Sequence, residues 1–177
     1  MSRRVLVTGG VRSGKSRYAE SLLARQQHVT YIAPGPVPDD SDLDWQARVL
    51  QHQRRRPEGW TTIETVDVAG ALRGAETPVV VDCIGTWVTA VLDELGAWDA
   101  PEDQWRPEAE KRIESLAEAW LARDRLSVAV TNEVGFGVVP EHRSGRVFRD
   151  ILGVTNQRLA EGSAEVALVV AGRVLHL

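Results

Sequence analysis

The sequence predicts an α/β domain with a mostly parallel sheet, and the N-terminal part of the chain shows why. Residues 4–8 form a short apolar run that leads into Gly9 and Gly10, which is typical of a buried strand ending in a glycine loop. Residues 15–26 repeat apolar side chains at helical spacing, and residues 29–33 are β-branched and aromatic. A strand, a helix and a second strand form a βαβ unit, whose crossover makes the two strands parallel.

The remaining chain continues this alternation. The patterns predict, in chain order, a helix over 43–57, strands over 61–66 and 78–83, a helix over 86–95, a strand over 126–131, a helix over 143–161 and a strand over 166–170. A further helix should carry Pro107 in its first turn, because the N–H that proline lacks is unpaired there. This helix is predicted to carry the apolar residues Ile113, Leu116, Trp120 and Leu121.

Composition limits the classes of function. The chain has 177 residues, 43% of them hydrophobic and 26% charged, which fits one catalytic domain over residues 1–177. The formal net charge of -4 gives no attraction to nucleic acid or to an anionic membrane surface. The single cysteine, Cys83, cannot form an internal disulfide, and no segment approaches the ~20 apolar residues of a membrane span. We therefore expect a cytoplasmic protein without a membrane span or a nucleic-acid partner.

The glycine loop carries the strongest chemical signal. Gly9-Gly10-Val11-Arg12-Ser13-Gly14-Lys15-Ser16 matches the pattern G-x-x-x-x-G-K-[ST], between a predicted strand and a predicted helix. Backbone N–H groups of such a loop surround phosphate oxygens, and glycine keeps side chains out of the way. Lys15 would hold the β- and γ-phosphates, and the Ser16 hydroxyl would bind Mg²⁺. These eight residues therefore predict a nucleoside triphosphate site for ATP or GTP.

Asp82 is the best candidate for a second magnesium partner. It follows the apolar residues 79–81, so it should lie at the carboxyl end of a central strand. A carboxylate at the end of a strand near a phosphate loop commonly holds Mg²⁺. The alternative is that Asp82 caps the helix that starts near Thr86.

A histidine lies among arginines in the predicted helix over residues 43–57. Arg48, His52 and Arg56 are spaced four residues apart, and Arg55 is three residues from His52, so all four can share one helix face. Neighbouring guanidinium groups disfavour the imidazolium form, which leaves a neutral nitrogen able to attack phosphorus. The spacing alone favours the alternative, an exposed arginine-rich helix with an ordinary surface histidine.

Several separate motifs occur in an order that resembles a known family, the bifunctional adenosylcobinamide kinase/adenosylcobinamide-phosphate guanylyltransferases of cobalamin biosynthesis. The resemblance covers nearly the whole chain. Its residues are Val5 to Gly10, Ser13 to Arg17, Tyr31 to Ala33, Arg48-Val49, His52, Arg56-Pro57, Trp60, Glu64, Asp82 to Ile84, Thr86, Val88-Thr89, Val130 to Gly135, Gly137, Val139 to Glu141, Arg143, Phe148 to Asp150 and Asn156 to Ala160.

The resemblance implies two reactions. The γ-phosphoryl group of ATP or GTP goes to the hydroxyl of the aminopropanol arm of adenosylcobinamide. GMP from GTP then joins the resulting phosphate through a GMP-histidine, which releases pyrophosphate and gives adenosylcobinamide-GDP. The family's nucleophile falls on His52, and its fold is a P-loop NTPase-like sheet flanked by helices. The resemblance also implies a homotrimer.

The resemblance further assigns nucleotide contacts along the chain. They fall on the phosphate loop, Ala33, Pro34, Gly35, Gln53, Arg54, Arg55, Arg56, Glu64 and Asp82.

Other functions remain open at this point. A kinase of another small hydroxyl compound would need the phosphate loop and Asp82 but no special role for His52. A nucleotide-dependent switch protein would only bind, although Asn132 and Glu133 at a strand end favour a substrate site over simple turn chemistry. An RNA-binding role is disfavoured because the arginines are dispersed and the net charge is acidic.

Overall fold

The computed structural model describes residues 3–35 and 57–177. The strands are β1 (Arg4–Gly9), β2 (Val29–Ala33), β3 (Trp60–Glu64), β4 (Val79–Asp82), β5 (Ser127–Val130), β6 (Glu165–Val170) and β7 (Arg173–His176). The helices of the described residues are α1 (Lys15–Leu22), α2 (Val68–Gly74), α3 (Ile84–Glu94), α4 (Glu102–Leu121) and α5 (Arg143–Glu161). The predicted helix over 43–57 falls almost wholly outside the described residues.

The described strands form one seven-stranded sheet in the order β3-β2-β4-β5-β1-β6-β7. All neighbouring pairs are parallel except β6 and β7, which are antiparallel. The predicted α/β class with a mostly parallel sheet is confirmed. Because the strands are parallel, the carboxyl ends of β1 to β6 lie at one edge, which we call the carboxyl edge, and their amino ends lie at the opposite amino edge.

The two faces of the sheet are covered unequally. Leu6 belongs to the larger apolar cluster, which takes in α2 to α5 and the buried Trp87, Trp105 and Trp120. Its neighbour Val5 belongs to the smaller cluster on the other face, with Ala19 and Leu23 from the α1 segment. Successive side chains of a strand point to opposite faces, so both faces of β1 are buried and the strand reads as continuously apolar.

The structure corrects the prediction for the proline-containing helix. Helix α4 begins at Glu102, after Pro101, so Pro107 lies in its second turn rather than its first. The acidic Glu102 and Asp103 in the first turn interact favourably with the positive end of the helix dipole, which explains the earlier start. Leu121, the last of the apolar residues assigned to this helix, is 59% exposed. It follows the buried Trp120, and one residue turns a helix by about 100° and away from the core.

Two elements were not predicted from the sequence. Helix α2 is a short helix that begins after Asp67, whose carboxylate accepts the Gly70 N–H at 2.8 Å. Strand β7 returns from β6 through Ala171 and Gly172, which both have positive φ, at 49° and 76°. Two positive-φ residues suit a tight hairpin turn, so the chain reverses there and adds the antiparallel edge strand.

Predicted ends moved by a few residues elsewhere. Helix α1 ends at Leu22 instead of residue 26, β3 starts at Trp60, and α3 starts at Ile84. No helix of the described residues is long and apolar enough to cross a membrane.

Candidate functional site

The phosphate loop joins β1 to α1 at the carboxyl edge. A Cβ on Gly9 would come within 2.4 Å of the Val169 carbonyl oxygen and 2.8 Å of the Ser13 Oγ, so only glycine fits. Gly14 has a φ of 98°, which side-chain-bearing residues rarely adopt, and it is the N-cap of α1. The Gly172 N–H donates to the Ser13 carbonyl at 2.8 Å, which ties the loop to the β6–β7 turn. These contacts hold the loop at the positive end of α1, where anions bind.

Lys15 lies inside this loop rather than on its surface. The residue is only 9% exposed, and its Nζ donates to the Gly10 carbonyl at 3.1 Å. Within the described residues, the buried hydroxyls of Thr8 and Ser13 have no hydrogen-bond partner. Buried polar groups normally have partners, so this concentration of unused donors suits a site that accepts an anionic ligand.

Asp82 ends β4, two strands from the phosphate loop across β5. The Tyr31 hydroxyl on β2 donates to its Oδ2 at 2.9 Å, which orients the half-buried carboxylate. The alternative of a helix cap is wrong, because the N-cap of α3 is Cys83. The backbone N–H of Cys83 donates to the Thr86 hydroxyl at 3.4 Å, so α3 is capped without Asp82.

Lys15 and Asp82 both affect the pKa of the Cys83 thiol. Burial raises the pKa of Cys83, the negative charge of Asp82 raises it further, and the Lys15 ammonium opposes both. The two charged groups predicted from the sequence therefore both influence the electrostatics at Cys83, next to the carboxyl end of β4. The thiol itself stays protonated at neutral pH.

Asn132 and Glu133 follow β5 at the same edge. The Glu133 N–H donates to the Gly9 carbonyl at 3.2 Å, beside the start of the phosphate loop. The Glu133 carboxylate accepts the Gly135 N–H at 2.6 Å, a turn interaction of the kind considered as the alternative. The backbone carbonyl of Asn132 accepts a hydrogen bond from Asn156 Nδ2 of α5 at 3.1 Å. The side-chain Oδ1 of Asn132 accepts a weak hydrogen bond from Cys83 Sγ at 3.7 Å. Asn132 thus links β5 to β4 and α5.

The remaining predicted nucleotide contacts lie farther along the sheet. Ala33 ends β2 and pairs with Glu64, the exposed last residue of β3, while Pro34 and Gly35 follow directly. Strand β3, which carries Glu64, is four positions from β1 in the sheet order, which corresponds to about 19 Å at normal strand spacing. The phosphate loop and Glu64 are therefore too far apart to contact the same phosphate. They can contact different parts of one nucleotide, or two separate nucleotides.

The histidine-arginine group cannot be placed by the structure. His52, Gln53, Arg54, Arg55 and Arg56, with Arg48, lie outside the described residues.

The donor set can be tested against a magnesium ion. Within the described residues, no three His, Cys, Asp or Glu side chains form a cluster that could hold a metal alone. Mg²⁺ in nucleotide sites usually takes one or two protein oxygens together with substrate phosphates. A serine hydroxyl at the start of α1 and an oriented carboxylate on β4 fit that arrangement.

A family model decides the classification. The model described as cobinamide kinase / cobinamide phosphate guanyltransferase matches residues 5–177. The chain belongs to this family. The family resemblance stated from the sequence motifs is thereby confirmed.

Individual family members are similar over almost their whole length. The bifunctional adenosylcobalamin biosynthesis protein CobU of Escherichia coli (strain K12) is 42% identical over 177 residues, covering 95% of this chain and 96% of the relative. The protein CobP of Pseudomonas aeruginosa, which carries the same bifunctional description, is 35% identical and covers 96% and 94%.

A solved structure supports the fold independently. An ATPase from the type III secretion system of pathogenic bacteria superimposes with a TM-score of 0.58 at 11% identity. The match covers 94% of this chain but 50% of that chain. At this identity the likeness shows the fold alone, and it confirms the P-loop NTPase-like class.

Sequence reasoning missed the side chains that orient this site. Tyr31 was quoted only as part of a motif, and its bond to Asp82 depends on β2 lying next to β4. Arg146 and Arg149 of α5 hold the loop after Glu133 through backbone carbonyls. Arg149 occurred only within the motif Phe148 to Asp150, and Arg146 in no motif, because bonds to backbone carbonyls leave no pattern of residue types that would predict them.

Proposed function

We propose that this chain phosphorylates adenosylcobinamide with ATP or GTP and then transfers GMP from GTP to the product, forming adenosylcobinamide-GDP and pyrophosphate. The observation that carries the proposal is the buried Lys15 in a phosphate loop, at the same sheet edge as the oriented Asp82, in a chain of the cobinamide kinase family. We propose residues 1–177 as one catalytic domain for both steps.

The first step needs positioning and charge stabilisation more than covalent chemistry. The loop residues Gly9 to Ser16 surround the phosphates with backbone N–H groups, and Lys15 exchanges its Gly10 carbonyl for phosphate oxygens. The acceptor hydroxyl oxygen attacks the γ-phosphorus and releases its proton to solvent. The bond between the γ-phosphorus and the oxygen that bridges to the β-phosphate breaks, and the nucleoside diphosphate leaves with the electron pair. Ser16 and Asp82 would hold Mg²⁺, which supplies positive charge to the phosphate oxygens when bound.

The second step uses His52 as nucleophile. A ring nitrogen attacks the α-phosphorus of GTP and pyrophosphate leaves, which creates a P–N bond. A phosphate oxygen of adenosylcobinamide phosphate then attacks the same phosphorus, and the P–N bond breaks to return neutral histidine. Splitting one displacement into two in this way is the general advantage of covalent catalysis. The support is the family membership and the positions of Arg48 and Arg56 on either side of His52 in the sequence.

The guanine-nucleotide contacts of this step are proposed beyond the phosphate loop. They are Ala33, Pro34, Gly35, Gln53, Arg54, Arg55, Arg56, Glu64 and Asp82. Ala33 and Glu64 are neighbours across β2 and β3, which supports a nucleotide contact at that part of the carboxyl edge.

Labelled GTP tests the covalent step. Label at the α-phosphate should remain on the denatured protein, whereas label at the γ-phosphate should not. The bond should be acid-labile and base-stable, as expected for a phosphoramidate. His52→Ala should lose the adduct and keep the kinase step, because direct phosphoryl transfer requires no enzyme intermediate. An adduct that persists in His52→Ala would assign the nucleophile elsewhere. A wild-type enzyme that makes adenosylcobinamide-GDP without any adduct would reject the two-step displacement.

The assembly and location are further parts of the proposal. The family resemblance supports a homotrimer, which the molar mass from light scattering would test. The single cysteine, Cys83, which cannot form an internal disulfide, supports a cytoplasmic enzyme, which cell fractionation would test.

A further inference from the structure

A cluster of exposed apolar side chains follows β5. We call residues 134–140 the apolar loop; within it Phe136 is 86% exposed, Val138 94% and Val139 68%, and Val134 is also exposed. Single exposed apolar residues are common on protein surfaces. Several within one short loop are not, and such patches commonly mark binding surfaces.

The apolar loop is held in place by two arginines of α5. Arg149 donates to the carbonyls of Gly135 at 2.7 Å, Gly137 at 3.0 Å and Val138 at 3.2 Å. Arg146 donates to the carbonyls of Pro140 at 2.9 Å and Glu141 at 2.5 Å. With the backbone fixed from one side, the apolar side chains are presented to solvent on the other. A surface ordered in advance loses less entropy when a ligand binds.

The apolar loop begins beside the phosphate site. Strand β5 pairs with β1, and the Glu133 N–H donates to the carbonyl of Gly9, the first residue of the phosphate loop. Val134 is the next residue along the chain. The exposed Val11 of the phosphate loop, 77% exposed, lies at the same carboxyl edge.

A cavity in the described residues does not offer an alternative location. A cavity of about 660 Å³ is bounded by residues including Leu72, Ala75, Arg123 and Arg125. These residues precede β4 and β5, so the cavity opens at the amino edge. An acceptor hydroxyl bound there could not reach a phosphate at the carboxyl edge.

We propose that the apolar loop is the docking surface for the corrin ring of the acceptor, with Phe136 and Val138 as its main contacts. This inference rests on the proposed function. A corrin is a broad macrocycle with methyl groups on its faces, and its aminopropanol arm ends in the hydroxyl that must approach the γ-phosphate. The ring can therefore lie on an open apolar surface while the arm alone enters the phosphate site. Burial of apolar ring surface against valine and phenylalanine supplies the affinity.

A second copy of this chain is the competing occupant of the apolar loop. Position favours the acceptor, because the surface next to the phosphate loop has to admit a large substrate for the reaction to occur. A subunit packed on Phe136 and Val138 would cover that approach.

The test measures binding of adenosylcobinamide directly, by equilibrium dialysis followed through its visible absorption, in the full chain. Phe136→Ser and Val138→Ser should each weaken binding, by about tenfold or more for Phe136, which is the scale of losing a buried aromatic contact. Phe136→Tyr keeps the ring and should bind like wild type. Leu121→Ser is the matched control, because Leu121 is 59% exposed at the end of α4, just before the strand that starts at the amino edge. GTP affinity and molar mass should remain unchanged in all four variants.

Each outcome decides a different point. Unchanged adenosylcobinamide affinity in both serine variants would overturn the docking surface. A lower molar mass in those variants would also overturn it and assign the apolar loop to contacts between copies. If wild-type protein binds GTP but neither binds nor phosphorylates adenosylcobinamide, the proposed function itself fails, and the docking surface fails with it.

Discussion

Two buried cations occupy opposite edges of the same sheet and are satisfied in opposite ways. Arg123, 7% exposed at the amino edge, donates to the carbonyls of Leu72, Ala75 and Thr77 at 2.5 to 2.9 Å and to Ser127 Oγ at 3.2 Å. Lys15, 9% exposed at the carboxyl edge, has one hydrogen bond within the described residues, to the Gly10 carbonyl.

The difference separates a group that stabilises the fold from one that is available to a ligand. Arg123 links the C-terminal end of α2 to the segments before β4 and β5, and fixed backbone carbonyls accept hydrogen bonds from its guanidinium group. Burial lowers the pKa of Arg123, yet an arginine stays protonated at any physiological pH. Lys15 retains hydrogen-bonding capacity for phosphate. Equal burial therefore does not mean equal function, and the number of fixed partners distinguishes the two.

Replacing Lys15 should give the largest effect of all on activity. Lys15→Ala should reduce kinase turnover by about a hundredfold to a thousandfold, the scale for removing one charge-stabilising donor. Its free energy of unfolding should change by less than about 1 kcal/mol, because one carbonyl bond is lost. Lys15→Arg should also fail, since a planar guanidinium does not replace a compact ammonium inside the loop. Steady-state kinetics beside urea unfolding checks both quantities, and wild-type turnover in folded Lys15→Ala would contradict the assignment.

Replacing Arg123 should give the reverse result. Arg123→Met keeps the aliphatic stem but leaves buried carbonyls without donors, so we expect a loss of about 3 kcal/mol in unfolding free energy. Turnover per folded molecule should be unchanged. Arg125→Met, at an exposed neighbouring position, is the matched control and should change stability by less than about 0.5 kcal/mol. If Arg123→Met lowered turnover without lowering stability, the assignment of Arg123 to fold stability and of Lys15 to ligand binding would be wrong.

Replacing Asp82 tests a second group at the carboxyl edge, the carboxylate proposed to hold Mg²⁺. Asp82→Asn keeps the size and the bond from Tyr31 but removes the charge, so activity should fall and the Mg²⁺ concentration for half-maximal rate should rise by about tenfold. Tyr31→Phe is the matched control, because it removes the orienting hydroxyl and leaves the carboxylate in place. Its Mg²⁺ dependence should change less. An unchanged Mg²⁺ dependence in Asp82→Asn would exclude the metal role.

Replacing Glu165, at the amino edge, should give the smallest effect, a small loss of unfolding free energy. The hydrogen bond from Arg3, at 2.5 Å, is the main cause that lowers the pKa of Glu165; burial opposes it, and the hydrogen bond with His176 lowers the pKa further. A carboxylate with a lowered folded-state pKa stabilises the protein above its unfolded pKa and loses that contribution as the pH falls through the folded value. Glu165→Gln should therefore cost about 0.5 to 1 kcal/mol at pH 7, because Arg3 is largely exposed. The difference from wild type should disappear in acid, and a constant difference down to the lowest accessible pH would reject this linkage.

Local patterns in the sequence predicted the fold class well. Apolar runs and helical periodicity depend on neighbouring residues, so strands such as β1 and β4 could be located directly. The strand order could not be predicted, because pairing of β2 with β4 is a tertiary choice. Strand β7 was missed because Ala171, a residue with no turn preference, adopts a positive φ there. Helix α2 was missed because it is short and contains Gly70 and Gly74, which disfavour helix.

The same limit applies to the site. The phosphate loop was recognised because glycines and Lys15 must occur at fixed positions in the sequence. The orientation of Asp82 by Tyr31 and the support of the apolar loop by Arg149 depend on contacts between distant segments. Residue type alone does not show such contacts.

If one chain transfers both the phosphoryl group and GMP to one acceptor, the product must carry a label from each transfer. Wild-type protein, Mg²⁺ and adenosylcobinamide would be incubated with ATP labelled at the γ-phosphate and GTP labelled at the α-phosphate, using two radioisotopes of phosphorus. The product should be adenosylcobinamide-GDP that carries both labels in equal molar amounts when ATP is the kinase donor. Pre-formed adenosylcobinamide phosphate should also restore α-label incorporation when only the kinase step is blocked. A phosphorylated acceptor that never gains the α-label would contradict a chain with both activities, as would an α-labelled product that lacks the γ-label when the γ-phosphate of GTP carries that label as well.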